Sequence, residues 1–194
     1  MNPFLLISGL PGSGKTSVAQ QLAPMLTLPV IDKDDILERL FESRGTGDAA
    51  WRRALSREAD EMLKAEAKAS SSGAILVSFW RQIGMPAGSG TPSDWLMDLS
   101  DRIVHVHCAC DPETAAGRFF ERRRHPGHLD GLRSYAEILA SIRALSNLEP
   151  LQIGRRIIVD TSQPLQLDEI VRDIRPTLGG CAVGLGSSSH HSPA

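Results

Sequence analysis

The stretch Phe4-Leu5-Leu6-Ile7-Ser8-Gly9-Leu10-Pro11-Gly12-Ser13-Gly14-Lys15-Thr16 decides the reading of this chain. Four apolar residues of buried-strand type run into Gly9 to Thr16, which fits GxxxxGK[ST], the phosphate-binding P-loop. The spacing has a physical basis. Successive backbone N–H groups must turn inward around an anion, and a Cβ on Gly12 or Gly14 is expected to obstruct that approach. Lys15 then reaches the β and γ phosphates of a nucleotide. Thr16 offers its hydroxyl to Mg²⁺ at the positive N-terminal end of a helix. Val18, Leu22 and Met25 supply that helix's apolar spacing, so the strand, loop and helix that the motif requires are all present.

Downstream, Leu28-Pro29-Val30-Ile31 reads as a second strand ending in Asp32-Lys33-Asp34-Asp35, with Ile36, Leu37, Leu40 and Phe41 at helical spacing beyond it. Ligands of open parallel α/β sheets bind at the C-terminal edges of strands, which is where these carboxylates fall. Asp34 lies two residues past Asp32, so a still-extended backbone would turn both side chains toward the P-loop. One carboxylate could then take a proton from an acceptor hydroxyl while the other holds a metal-bound water. Asp35 reads instead as a helix cap.

The remaining elements alternate. Asp48 caps a long helix running to about Ser70, Ala74 to Phe79 forms a third strand, and the Gly- and Pro-rich Trp80 to Thr91 is a loop. A short amphipathic helix carries Trp95, Leu96 and Leu99. A fourth strand spans Arg102 to Cys110. Pro112 takes the first position of a helix expected to carry Arg118, Arg122, Arg123 and Arg124 before Pro126-Gly127 breaks it. Tyr135, Ile138, Leu139, Ile142 and Leu145 mark another helix, followed by a strand at Arg156 to Val159 and a helix at Leu167 to Ile174. Strands alternating with helices predict βαβ units and a mostly parallel sheet, an α/β fold. No internal repeat is evident.

Arg118 and Arg122 stand one helical turn apart beside the Pro/Gly break, and phosphoryl transfer needs cations over the developing charge. Arg123 reads as part of a solvated face. His105-Val106-His107-Cys108-Ala109-Cys110 has metal-ligand residue types, but in a strand its histidines face away from its cysteines, so the four cannot converge on one ion. Arg156 to Asp160 imitates the apolar run plus Asp of a Walker B strand. It arrives at the last strand, while the third strand ends in Ser78, which weighs against a motor-type ATPase.

At 194 residues, 41% of them hydrophobic, the chain is long enough for one packed domain, taken as residues 1–178. A net charge of -2 and a pI near 6.3 give no footprint for polymeric nucleic acid or membrane. No apolar run approaches the ~20 residues that cross a bilayer, and Cys108, Cys110 and Cys181 are too few for a disulfide framework. The expected location is therefore cytoplasmic. Residues 179–194, rich in Gly, Ser and His, are expected to be a disordered tail.

Gly9 to Ser17, the Asp-Lys-Asp-Asp turn, the arginine-bearing helix after Asp111-Pro112-Glu113 and the late Val159-Asp160-Thr161-Ser162 together resemble the P-loop kinases of small molecules. The resemblance is greatest to the zeta-toxin-like and chloramphenicol-phosphotransferase-like group, AAA-type ATP-binding kinases, with relatives among gluconate, shikimate and polynucleotide 5'-hydroxyl kinases. It spans roughly residues 4 to 175. It implies a P-loop NTPase fold with a five-stranded parallel sheet in the order 2-3-1-4-5 and a mobile arginine lid over ATP. It also implies nucleotide contacts from Gly9, Leu10, Pro11, Gly12, Ser13, Gly14, Lys15, Thr16 and Ser17. Asp34 would be the acceptor-activating carboxylate, Thr16 and Asp32 the Mg²⁺ shell, and Arg118 and Arg122 the lid cations. The loop from Thr161 to Pro164, with Gln163, would lie beside the adenine. Leu37 stands where polynucleotide kinases commonly carry a basic residue, which argues against a polynucleotide acceptor. Phe79, Trp80 and Arg81 follow the third strand, where such enzymes bind acceptors.

The resulting expectation is an ATP-dependent phosphotransferase acting on a hydroxyl of a small molecule, with Lys15, Asp34, Arg118 and Arg122 as its chemistry-bearing residues. The alternatives are a P-loop nucleotide hydrolase or switch, and a toxin-like kinase of a nucleotide sugar. No guanine-recognition signature appears, which disfavours a GTPase switch.

Overall fold

β1 (Phe4–Gly9) is buried along its whole length, because its neighbours cover both faces of the strand. Phe4 and Leu6 point into one apolar cluster, while Leu5 and Ile7 point into another on the opposite side. Burying a Leu or Ile side chain is worth about 2 kcal/mol, so the strand is anchored from both directions and the glycine loop leaves it from a fixed point. A computed structural model of the chain describes residues 2–178; the tail expected at 179–194 lies outside the described residues.

After β1 the chain forms α1 (Lys15–Leu26), β2 (Val30–Asp32), α2 (Lys33–Arg44), α3 (Ala49–Ala69), β3 (Ala74–Val77), β4 (Ile103–Ala109), α4 (Pro112–Glu121), α5 (Tyr135–Ser146), β5 (Arg155–Asp160) and α6 (Leu167–Leu178). The five strands make one sheet in the order β2-β3-β1-β4-β5, and each pairing is parallel. This is the P-loop NTPase arrangement, with helices on both faces. β1 pairs with β3 on one side and β4 on the other, so the loop after β1 opens where successive crossovers diverge, the usual ligand-binding crevice of such sheets.

One face of the sheet packs on α2 and α3 through Ile36, Leu37, Leu40, Leu55 and Leu63. The other packs on α1 and α6 through Val18, Leu22, Ile170 and Ile174. A third cluster joins Leu10 of the glycine loop to Ala115 and Phe119 of α4 and Ile138 and Ile142 of α5. The α4–α5 pair is thereby attached to the loop that it overhangs.

Helix starts follow their capping chemistry. Asp48 accepts from the Trp51 amide at 2.8 Å and Asp111 from the Thr114 amide at 2.8 Å. Ser134 and Glu137 form a reciprocal capping box at the start of α5.

Three sequence expectations need correction. The acidic turn is not extended through Asp34: Asp32 caps α2 by accepting from the Asp34 amide at 2.9 Å, so the helix starts at Lys33. The arginine run is not wholly helical either. α4 ends at Glu121, and Arg122 has an extended backbone, with φ -67 and ψ 143. His125 precedes Pro126 and is driven out of the helical region, and two 3₁₀ turns, Pro126–His128 and Asp130–Leu132, follow. The helix expected around Trp95 is only the 3₁₀ turn Asp94–Leu96.

Candidate functional site: the phosphate loop and the cleft beneath α4

The loop from Gly9 to Thr16 crosses the C-terminal end of β1 and enters α1 through Gly14, whose φ of 82 places it in the left-handed region. A side chain on Gly14 would have only the Cβ of Thr161 within reach, at 3.9 Å. Gly12, at φ 80, differs: its added Cβ would collide with the backbone carbonyl of Ala115 in α4. The reason for glycine at position 12 is therefore helix packing as well as backbone approach to an anion, which amends the expectation from the motif. Lys15 Nζ donates to the carbonyl oxygens of Gly9 at 3.1 Å and Leu10 at 2.8 Å, bridging the loop from within. Burial pushes its ammonium below the ordinary pKa, against the pull of Cys108 and Asp34.

At the first turn of α1, Thr16 Oγ1 donates to Asp32 Oδ2 at 2.8 Å. Asp32 is buried, and burial together with the nearby Asp34 charge raises its carboxyl to about 6. A buried carboxylate with this bias gains from a cation brought next to it. Asp34 behaves in the opposite way. Burial pushes it upward, but the charges of Arg124, His128, Lys15 and Arg122 outweigh that and hold it below the usual carboxylate range. Its side chain is half exposed to the cleft and pairs with Arg124 at 2.6 Å.

The arginines occupy different places. Arg118 reaches from α4 to the carbonyl of Thr161 at 3.0 Å, which closes one end of the cleft over the loop after β5. Arg122 lies over the Phe119 ring, 3.9 Å from its centroid, and pairs with Asp130 at 3.2 Å. Arg124, absent from the sequence-derived set, bridges Asp34 and Asp130, the latter at 3.1 Å. His128 Nε2 lies 2.9 Å from Glu38 on α2, tying the same segment to the far wall. The signal for Arg124 lay in His125-Pro126, which forces an extended backbone just where these side chains turn inward.

These groups line one cleft of about 620 Å³, within the range of small-molecule sites. Pro11, Gly12, Gly14, Lys15, Thr16 and Ser17 form its floor, with Asp32, Asp34, Phe79, Arg118 and Arg122 on its walls. Of the three residues expected beside an acceptor, only Phe79 lines it. Trp80 is 2% exposed, donates to the carbonyl of Ile7 at 2.9 Å and packs against Trp95, while Arg81 bonds the carbonyl of Ser89 within its own loop. Gln163 lies beyond Thr161 on an exposed loop.

The residues suit a nucleotide phosphate and a divalent cation. Ser13 Oγ is buried in the loop with no hydrogen-bond partner among the described residues, an orphaned polar atom beside the cradle. Thr16 and Asp32 offer hard oxygens, and Mg²⁺ is usually held by one or two such groups, with phosphates and water completing its shell. Asp160, the Walker B look-alike, is exposed at the edge strand and bonds the amide and hydroxyl of Ser162 at 2.8 and 2.5 Å. His105 and His107 both meet Ser8 Oγ, at 2.6 and 2.9 Å, while Cys108 faces the opposite core, as the strand alternation predicts.

Comparison with known proteins agrees with this geometry. The shikimate kinase of Corynebacterium jeikeium strain K411 is 46% identical over 39 residues, which are 20% of this chain and span about a fifth (21%) of that relative's length. Among solved structures, a protein of Chloroflexus aurantiacus J-10-fl provisionally assigned as a kinase superposes with a TM-score of 0.74 at 25% identity, covering 92% of this chain and 100% of its own. The shikimate kinase of Bacteroides thetaiotaomicron shares the fold at TM-score 0.54 and 19% identity, over 91% of this chain and 98% of its own. The gluconokinase of Sinorhizobium meliloti 1021 does so at 0.52 and 22%, over 91% of each chain. A family model described as an AAA domain matches residues 4–137, more than half of the sequence, and the chain belongs to that family.

Proposed function

We propose that this protein is an ATP-dependent kinase that transfers the γ-phosphoryl group to a hydroxyl of a small molecule. The observation that carries the reading is the second carboxylate. Asp32 accounts for the hydroxyl of Thr16, yet Asp34 also faces the cleft, held ionised among cations and open to a ligand. In a kinase such a group orients the acceptor hydroxyl, where in a hydrolase it would orient water, so dependence of turnover on an acceptor separates the two.

The backbone of Gly9 to Ser17 and Lys15 bind the phosphates, and Thr161 and Gln163 border the base. Mg²⁺, held through Thr16 and Asp32, would supply positive charge to the phosphate oxygens. Arg118 and Arg122 act on charge that develops during transfer, where preorganised cations have most effect. Asp34 orients the acceptor hydroxyl and accepts its proton as oxygen bonds to the γ phosphorus and the bridging bond to ADP breaks. With its pKa held low, Asp34 serves more by orientation than by basicity, in keeping with a loose transition state in which the proton leaves late.

Residues 1–178 act as one kinase domain, working in the cytoplasm. The net charge of -2 supports a small acceptor over polymeric nucleic acid. The order of the Asp-Lys-Asp-Asp turn and the arginine segment supports placement near the zeta-toxin-like and chloramphenicol-phosphotransferase-like kinases. The test is ADP release with Mg-ATP over a panel of sugars, alcohols, nucleosides and hydroxyl-bearing antibiotics. The reading expects release that depends on one class of acceptor; hydrolysis indifferent to all of them contradicts it.

A further inference from the structure

β5 is the last strand on its side of the sheet. The amide of Thr161, just past its end, donates to the Ala109 carbonyl of β4 at 2.9 Å. Backbone groups alternate in direction along a strand, so the N–H and C=O groups of Arg156, Ile158 and Asp160 point the other way, off the edge of the sheet. None of them bonds another element among the described residues. The side chains of these three residues share one face of the strand, and all are exposed, Ile158 at 65%. An open edge of this kind is a template for a further strand, and charged side chains commonly guard it. Here, however, the charges are opposite in sign and stand at equal distances on either side of the exposed isoleucine. Arg156 forms no ion pair among the described residues. Asp160 spends only Oδ1 on the amide and hydroxyl of Ser162, which leaves Oδ2 for another donor.

We propose that β5 is a dimerisation edge, which pairs antiparallel with β5 of a second copy of this chain, Ile158 lying on the two-fold axis. In that register Arg156 stands opposite Asp160 of the second copy, Ile158 opposite its own counterpart, and Asp160 opposite Arg156 of the second copy. Directly opposed side chains lie on one face, so two ion pairs flank an apolar contact, and the surface is complementary to itself as a two-fold interface requires. The residues opposed in this way are those whose backbone groups point off the edge, so each opposed pair can exchange two N–H···O bonds. On the other face the same register sets Ile157 against Val159 of the second copy, both apolar. A slip by two residues parts both ion pairs, and parallel pairing in register sets each charge on its like. The charges therefore specify one arrangement. Because the strands run antiparallel, the two glycine loops open at opposite ends of the joined sheet, and the inference does not rest on the kinase reading.

The test is sedimentation equilibrium of the full chain over a concentration series, with hydrogen exchange read at the β5 amides. Wild type should pass from the 21.0 kDa chain to twice that mass as concentration rises. The amides of Arg156, Ile158 and Asp160 should gain protection over the same range. Arg156→Asp alone sets acid on acid and Asp160→Arg alone sets base on base, so each should weaken dimerisation at least ~10-fold. An equimolar mixture of these two variants again sets an acid opposite a base at both contacts. It should form a mixed dimer within ~3-fold of the wild-type affinity, which also shows that both variants are folded. Ile158→Lys places two like charges on the axis and should leave the chain monomeric. A wild type that stays monomeric at every concentration overturns the proposal. So does a dimer that ignores these substitutions, or a mixture no tighter than its components. Edge amides already protected in the dilute chain would mean that another part of the same chain covers β5, and would overturn it too.

Discussion

The hydroxyl of Thr16 donates to the carboxylate of Asp32 at 2.8 Å, joining the helix that follows the glycine loop to the end of the neighbouring strand but one. The same carboxylate caps α2 through the Asp34 amide, so one side chain sets both the loop helix and the acidic turn.

Asp32 contributes adversely to the ligand-free fold at neutral pH. Its folded pKa of about 6 exceeds the ordinary 3.8, so the folded state holds the proton more tightly. The stability gained this way is present below pH 3.8 and is lost as pH rises through 6. Asp32→Asn should therefore melt higher than wild type at pH 7.5, by at most about 3 kcal/mol, with the difference shrinking toward pH 4. The same variant should lose the extra stabilisation that Mg²⁺ adds to bound ADP. Calorimetric melting across pH, with and without Mg-ADP, reads both effects; a variant less stable than wild type at pH 7.5 contradicts the assignment.

Gly12→Ala should destabilise the protein even without nucleotide, because its Cβ meets the Ala115 carbonyl and its φ of 80 strains any side chain. A loss of at least about 2 kcal/mol is expected, from overpacking together with the left-handed backbone. Gly14→Ala, whose Cβ would meet only Thr161 at an ordinary contact distance, should lose about 1 kcal/mol, from the left-handed backbone alone. Denaturant unfolding of the two variants side by side checks the order.

Lys15→Ala removes a charge from the loop while leaving the three apolar clusters intact. ATP turnover should fall by at least ~10²-fold with little change in melting temperature. Comparable turnover in the variant would contradict the phosphate-loop assignment.

Arg118→Ala and Arg122→Ala should each lower turnover more than they weaken ATP binding, since their charge matters most while the phosphoryl group is in transit. Arg123→Ala should be close to neutral. Steady-state turnover and equilibrium nucleotide binding separate the two effects, and equal behaviour of all three would reduce the segment to a solvated face.

Much of this architecture was legible in the sequence because local chemistry and global fold agree. The apolar run before Gly9, the caps Asp48 and Asp111 and Pro112 at a helix start each point to one outcome, and the parallel sheet follows from their alternation. Legibility failed where a side chain serves two local roles. Asp32 both ends β2 and caps α2, and its bond to the Asp34 amide starts the helix at Lys33 where the spacing suggested a longer extended turn. The run from Arg122 to Arg124 has helical composition, but the proline after His125 and the pull of Asp130 straighten it. Asp130 was not readable because its pairing with Arg122 and Arg124 depends on how the 3₁₀ turns after Pro126 fold back, which no local spacing encodes.

The measurement that bears most directly on the kinase reading is ADP release with and without candidate acceptors in wild type and Asp34→Asn, with mass detection of the product. Asn keeps the size of the side chain and removes no contact to ATP, so nucleotide binding should be unchanged while transfer collapses by at least ~10²-fold. The account predicts acceptor-dependent ADP release and a phosphorylated product in wild type, both absent in Asp34→Asn. Steady hydrolysis that ignores every acceptor, survives Asp34→Asn and disappears in Asp160→Asn would contradict it.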